Sequence, residues 1–279
     1  MIATEQKRWY ADWQRAEHAR HFDGRAGLPA GILRRNFEAF NDVRLLSGRI
    51  DPALPTELLE VGCATGDFYR YLWLRFPRIR YTGLDVSRPA IDRAKGKYPS
   101  GRFLESDPAL SLRENLERLE IRRPLPHLYS KDVIHHQTDP FGFIGQLLEV
   151  TGEDLIFRTR TRDAGATVLE PELSCQYHYE GWMPYFVLNL EEMVGEIRRA
   201  APRAEIAVYR NRMVLGGKEN RFLPKECYLP QTGTAETAVG VFLRTDRPGR
   251  VEVTDRQDMA PHYSPGERLL LFLRRRSRR

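Results

Sequence analysis

The chain has 279 residues, 29% charged and 41% hydrophobic, enough for one large domain or two small ones with a substantial core. No run approaches the roughly 18 uninterrupted apolar residues of a membrane span, the first twenty residues are too charged for a secretory signal, and the aromatic and branched aliphatic content excludes a disordered chain. The net charge is +6, most of it in a tail holding Arg274, Arg275, Arg276, Arg278 and Arg279, which reads as a solvated terminus more than as a nucleic-acid surface.

Taken in chain order, residues 1–50 read as a helical segment. Trp9, Trp13 and Ala16 share one helix face, and after a Gly/Pro break Ile32, Leu33, Phe37, Phe40 and Leu45 mark a second helix. The pattern then alternates. Strands are expected at 58–61, 81–85, 102–105, 127–130 and 154–158. Helices are expected at 68–76, 89–98, 110–119 and 141–150, with Ser87 capping the second. Such βαβ units imply a doubly wound, mostly parallel sheet with ligands at the C-terminal strand ends. Further on, a helix over 190–200 capped by Asn189 and strands at 205–210 and 237–243 follow. Residues 250–253 and 269–273 read as a C-terminal strand pair. The expected division is a helical lid (1–50), a ligand-binding domain (51–245) with a substrate cap near 161–189, and a β extension with the basic tail (246–279).

The three cysteines, Cys63, Cys175 and Cys227, form no C-x-x-C. That argues against a disulfide framework or a cysteine zinc site and for a reduced, cytoplasmic setting. A metal held by Asp132 and Asp139 beside the histidines is disfavoured, and no metal is expected.

The first strand runs into Glu60-Val61-Gly62-Cys63-Ala64-Thr65-Gly66-Asp67. Small residues at 62, 64 and 66 permit a tight turn and close approach of a ligand, and the next helix offers its N-terminal N–H groups. A dinucleotide fingerprint would place glycine where Asp67 stands. Glu60 and Asp67 suit a positive centre better than a pyrophosphate. Asp85, ending the second strand, can accept both ribose hydroxyls, and Asp107, after the third, can accept an adenine amino group. Together these describe a site for a nucleoside without phosphates.

These motifs resemble the class I S-adenosylmethionine-dependent methyltransferases over roughly residues 58–159. The stretch from Leu59 to Gly66 is similar to the family's E-x-G-x-G-x-G, with Ala64 for the middle glycine. Tyr81 to Ser87 resembles the second motif, whose acid holds the ribose, and Ser106-Asp107 the adenine position. Leu128 to His136 resembles the fourth-strand motif of small-molecule members. The resemblance implies a seven-stranded Rossmann-like methyltransferase fold with S-adenosylmethionine as cofactor and S-adenosylhomocysteine as product. It implies cofactor contacts from Glu60, Gly62, Cys63, Ala64, Gly66, Asp85, Val86, Ser106, Asp107, Ser130 and Lys131. Cys63 is expected to be a small core-facing residue, and only the backbone of Lys131 is needed.

His136 is the candidate base for a substrate hydroxyl, with His135 pointing elsewhere. The [DNS]-P-P-[YFW] motif of amide and base-amine methylators is absent, so an oxygen acceptor is favoured. Tyr179, Trp182 and Tyr185, in the aromatic stretch after the fifth strand, are expected to bind a small acceptor. The expected function is methyl transfer to a small molecule, with nucleic acid and membrane not expected as partners. The alternatives are an RNA or protein methyltransferase and a non-catalytic cofactor-binding partner subunit.

Overall fold

The computed structural model describes residues 11–15, 19, 22, 27–178 and 181–276. Trp9, Ala16 and Tyr179 lie outside the described residues. Of the first expected helix, Ala11–Gln14 forms one turn of 3-10 helix. The second is two helices, α1 (Ala30–Glu38) and α2 (Asn41–Ser47), because Phe40 between them is extended at ψ 140°.

The alternation then follows as β1 (Thr56–Val61), α3 (Asp67–Arg75), β2 (Ile79–Asp85), α4 (Arg88–Lys97), β3 (Arg102–Glu105), α5 (Leu112–Arg118), β4 (Leu125–Lys131), α6 (Pro140–Val150) and β5 (Thr151–Arg162). Polar caps fix the starts of α4, α5 and α6. Ser87 accepts from the Ala90 N–H, Ser111 and Glu114 form a capping box, and Asp139 accepts from the Gly142 N–H. After β5 come β6 (Cys175–His178), β7 (Gly181–Pro184), β8 (Leu188–Asn189), α7 (Leu190–Ala200, capped by Asn189), β9 (Glu205–Arg212), β10 (Arg221–Phe222), β11 (Ala235–Phe242), β12 (Val251–Asp255) and α8 (Pro265–Arg276).

Among the described residues the main sheet has nine strands rather than the expected seven, in the order β12-β9-β11-β5-β4-β1-β2-β3, with β8 added beside β5. All its pairings are parallel except those of β11 with β5 and β9. The chain winds outward from β1 to β3 and returns at β4, so the switch in strand order lies between β1 and β4. The C-terminal ends of those two strands form the crevice where ligands of such sheets bind.

Period-two alternation assigns each strand to two cores. Leu59, Leu128 and Leu155 face α5, α6 and α7, while Leu58, Tyr129 and Ile156 face α1 to α4. The described residues also form a separate three-stranded sheet, β10-β6-β7, which holds two strands from the region expected to be a substrate cap.

The C-terminal extension contributes one strand, β12, and a helix where 269–273 was expected to be a second. A five-residue apolar run does not distinguish the two. The Ser264-Pro265-Gly266-Glu267 start does, because it is a capping box with proline at the first helical position. The Ser264 N–H donates to Glu267 at 2.9 Å and the Glu267 N–H to Ser264 Oγ at 3.3 Å. This region packs on the N-terminal helices, with Met259 N donating to Ala39 O at 2.8 Å and Glu267 paired with Arg35.

β5 also runs past Arg158 to Arg162, and its last arginines are buried. Arg158 continues the face of Ile156, where it meets Asp42 of α2 at 3.7 Å, Asp258 at 3.1 Å, Asp132 at 3.8 Å and Glu236 of β11. Burial opposes its charge, but Asp132, Asp42 and Glu236 keep it firmly protonated. Asp42 is fully buried and also accepts from the Tyr129 hydroxyl. Asp42→Ala is therefore expected to cost about 3–5 kcal/mol, as removal of one partner from a buried ion pair does. Urea unfolding checks this, and a loss below about 1 kcal/mol, as at an exposed pair, would contradict the assignment.

Candidate functional site

The β1–α3 turn is built by three left-handed residues, Gly62, Ala64 and Gly66. Gly62 has φ +85°, and a Cβ there would stand 2.1 Å from Val133 Cγ2, so only glycine fits. Ala64 has φ +46°, a conformation that L residues adopt at a cost. It is held there by Asp85, whose Oδ2 accepts from the Ala64 N–H at 2.8 Å, while Oδ1 accepts from the Ser87 N–H at 2.8 Å. Burial raises the Asp85 pKa, and those N–H groups oppose the rise. Each of its oxygens keeps a second lone pair for a ligand.

Around this turn lies a cavity of about 1150 Å³, above the roughly 300–1,000 Å³ typical of a site for one small ligand. Glu60, Gly62, Cys63, Ala64, Asp85, Val86, Ser106, Asp107 and Lys131 all line it. Gly66 and Ser130 do not. Gly66 sits under the turn, where a Cβ would approach the Phe103 ring at 2.8 Å, and Ser130 Oγ donates to Val61 O from a fully buried position. Asp107 Oδ1 starts a turn by accepting from the Ala109 N–H at 2.9 Å, and the residue remains exposed to the cavity.

Burial pushes Glu60 up to about 8, and Tyr81 donates to it. Asp67 is already neutralised, with Lys97 at 2.9 Å and the Tyr98 hydroxyl at 3.0 Å. The positive centre expected to face both acids therefore has Glu60 alone available. Burial, with Asp85 and Glu60 nearby, keeps the Cys63 thiol protonated, which removes it as a nucleophile. Lys131, of which only the backbone was expected to matter, packs its ammonium 3.4 Å from the Phe40 ring centroid and 4.0 Å from Asp42.

At the other end of the cavity the 3-10 turn Ile134–His136 places His135 and His136 with ring centroids 4.1 Å apart. The two rings were expected to point apart, but both line the cavity. His136 Nδ1 lies 2.7 Å from the Pro184 carbonyl, an acceptor only, so Nδ1 carries the proton and Nε2 the lone pair. Burial pushes the His136 pKa down to about 4 and that of His135 well below its usual value. Both rings are neutral at pH 7.

Asp132, in the left-handed region at φ +58°, accepts from Arg160 at 2.8 Å. Burial would raise its pKa, but Arg160 and Arg158 hold it far below the carboxylate range. Asp139 is occupied as a helix cap, so neither acid is free for a metal. Among the described residues no cluster of histidine, cysteine and carboxylate side chains suits a metal ion, and no helix is long and apolar enough to cross a membrane.

Of the aromatics expected to bind the acceptor, Tyr185 lines the cavity, with Arg160 Nε donating to its hydroxyl at 2.8 Å. Trp182 does not. Alternation along β7 turns Met183 inward and Trp182 outward, where it is 44% exposed and packs on Tyr177 and Phe222. Sequence reasoning missed Gln176, Met183, Arg158, Arg160, Lys218, Arg221 and Glu236, all of which line the cavity. The available signal was the period-two spacing of Arg158, Arg160 and Arg162, which matches a strand with one polar face. Charges usually end a strand reading, and here they line a cleft.

Residues 59–154 match a family described as a methyltransferase domain. A trans-aconitate 2-methyltransferase of Paracidovorax citrulli is 28% identical over 79 residues, which are 28% of this chain and 30% of that relative. The chain thus spans under a third of the curated relative it matches. Among solved structures, the O-methyltransferase of the trans-AT PKS multienzyme of Brevibacillus brevis, in complex with S-adenosyl-L-homocysteine, superposes with a TM-score of 0.50. It is 8% identical and covers 72% of this chain and 71% of that one. Phosphoethanolamine N-methyltransferase 2 of Haemonchus contortus, in complex with S-adenosyl-L-methionine, also gives 0.50, at 13% identity over 81% of this chain and 60% of that one. These two likenesses concern the fold. The family match over residues 59–154 and the four motifs in order around one crevice identify this part of the chain as a methyltransferase domain of the class I S-adenosylmethionine-dependent kind, whose cofactor is S-adenosylmethionine.

Proposed function

We propose that the chain transfers a methyl group from S-adenosylmethionine to an oxygen of a small-molecule acceptor. The observation that supports this is the single cavity joining the nucleoside-type end, with Asp85 and Asp107, to a polar end with His136 and Tyr185. The matched curated relative is itself named for a small-molecule acceptor.

The cofactor supplies an electrophilic methyl on a sulfonium centre. Its fit rests on a turn that only glycine can make at 62, on carboxylates at the ends of β2 and β3, and on the buried carboxyl of Glu60. Asp85 would hold the ribose hydroxyls, Asp107 the adenine amino group, and Glu60 the positive end. We assign Trp13, Phe37 and Phe40 the part of a lid, with the β6–β7 cap covering the acceptor. Most of the rate comes from positioning the acceptor oxygen in line with the methyl. His136 Nε2 takes the acceptor's hydroxyl proton. A pKa near 4 suffices, because an oxygen that has gained a methyl while keeping its proton is far more acidic than imidazolium.

Three outcomes test the reading. Calorimetry is expected to detect S-adenosylhomocysteine binding and no NAD binding, and Asp85→Asn to weaken the former by at least about tenfold through its charge-assisted hydrogen bonds. Unchanged affinity in the variant would remove Asp85 from the ribose site.

A positive ligand beside Glu60 favours its ionised form, so cofactor binding releases a proton. Affinity is expected to rise from pH 6 towards about 8 and the rise to vanish in Glu60→Gln. A flat profile in the unmodified protein would place the positive centre elsewhere.

His136→Ala is expected to lower turnover by about 10²–10⁴ with little change in cofactor affinity. The unmodified rate should stay level from pH 6 to 8 and fall only near pH 4. Near-normal turnover in His136→Ala would mean that no histidine base is used.

A further inference from the structure

The cations around the acceptor end fall into two groups. Arg158, Arg160 and Lys131 face acids. Arg160 meets Asp132 at 2.8 Å and Glu236 at 3.1 Å, Arg158 meets Asp258 at 3.1 Å, and Lys131 lies 4.0 Å from Asp42. Arg221 and Lys218 line the same cavity, and among the described residues neither has a carboxylate within ion-pair distance. The Arg221 Nε is buried with no hydrogen-bond partner.

Their placement is fixed by backbone. The Arg221 N–H donates to Lys218 O at 3.0 Å, closing the turn that carries both. Arg221 pairs with Gln176 across β10 and β6, and the Tyr177 N–H donates to Asn220 O at 2.8 Å. The Arg221 guanidinium carbon stands 4.5 Å from the Tyr185 ring centroid, and the same ring touches His135 and His136. The charge of Arg221 holds the Lys218 ammonium below its usual lysine range, and Arg160 acts the same way. Like charges kept together on a preformed turn, at the mouth of a cavity, are the arrangement that an oxyanion relieves.

We propose that Arg221 and Lys218 form an oxyanion clamp, so that the acceptor carries a carboxylate or phosphate group held beside Tyr185. This rests on the methyl-transfer reading and gives its substrate class. The planar guanidinium offers two parallel N–H donors to the oxyanion, and the lysine adds a mobile charge at the rim. Tyr185 packs on the body of the acceptor and sets its distance from His136.

The test is calorimetry on the full chain saturated with S-adenosylhomocysteine, using benzoate, phenyl phosphate and the neutral benzyl alcohol as probes. The unmodified protein is expected to bind at least one anion about tenfold or more above benzyl alcohol, and the tighter of the two names the group. Arg221→Gln should reduce that preference to about twofold or less, Arg221→Lys should keep part of it, and Lys218→Gln should weaken it about threefold. S-adenosylhomocysteine affinity should be the same in all. Absence of any anion preference in the unmodified protein, or its persistence in Arg221→Gln and Lys218→Gln alike, would overturn the clamp. Failure of the unmodified protein to bind S-adenosylhomocysteine would instead overturn the methyl-transfer reading and the clamp with it.

Discussion

A buried guanidinium must find negative charge, and Arg158 finds it from four separate parts of the chain. Asp42 comes from the N-terminal helices, Asp132 from the turn after β4, Glu236 from β11 and Asp258 from the segment after β12. This requirement draws the N-terminal helices and the segment after β12 together against β5. An apolar set of the same volume could be as stable. The charged set also ties four segments of the chain to Arg158 and its neighbour Arg160.

The β1–α3 turn depends on a different economy of contacts. Asp85 uses one lone pair of each oxygen to hold the β1–α3 turn and the start of α4. The left-handed Ala64 persists because its N–H is fixed this way. The group best placed to receive a ribose is thus also the one that shapes the turn beside it. Neutral histidines, a protonatable Glu60 and a cationic rim then give three chemically distinct zones along one cavity.

The alternating half of the fold was legible because parallel strands between helices leave strong periodic signals, and the caps at Ser87 and Asn189 were read from residue type alone. That Gly62, Ala64, Asp85 and Asp107 share one cavity was equally legible, since small residues and strand-end acids sit at fixed offsets along the chain. The acceptor end was not. Its groups come from β5, β6, β10 and β11, and nothing local to those strands announces that they meet. Asp67 carried the right charge at the right place, but Lys97, thirty residues on, had already claimed it. Trp182 had the right chemistry and the wrong parity along its strand. The helix at the C-terminus announced itself only through its capping box.

The central claim is that one cavity holds the cofactor and aims its sulfur at the acceptor end. A crystal structure of the full chain with S-adenosylhomocysteine tests it most directly. The account expects the ribose hydroxyls within hydrogen-bond distance of Asp85, the adenine beside Asp107, and the sulfur turned towards His136 and Tyr185. Ligand density that leaves Asp85 untouched, or a sulfur facing away from the histidines, would contradict it.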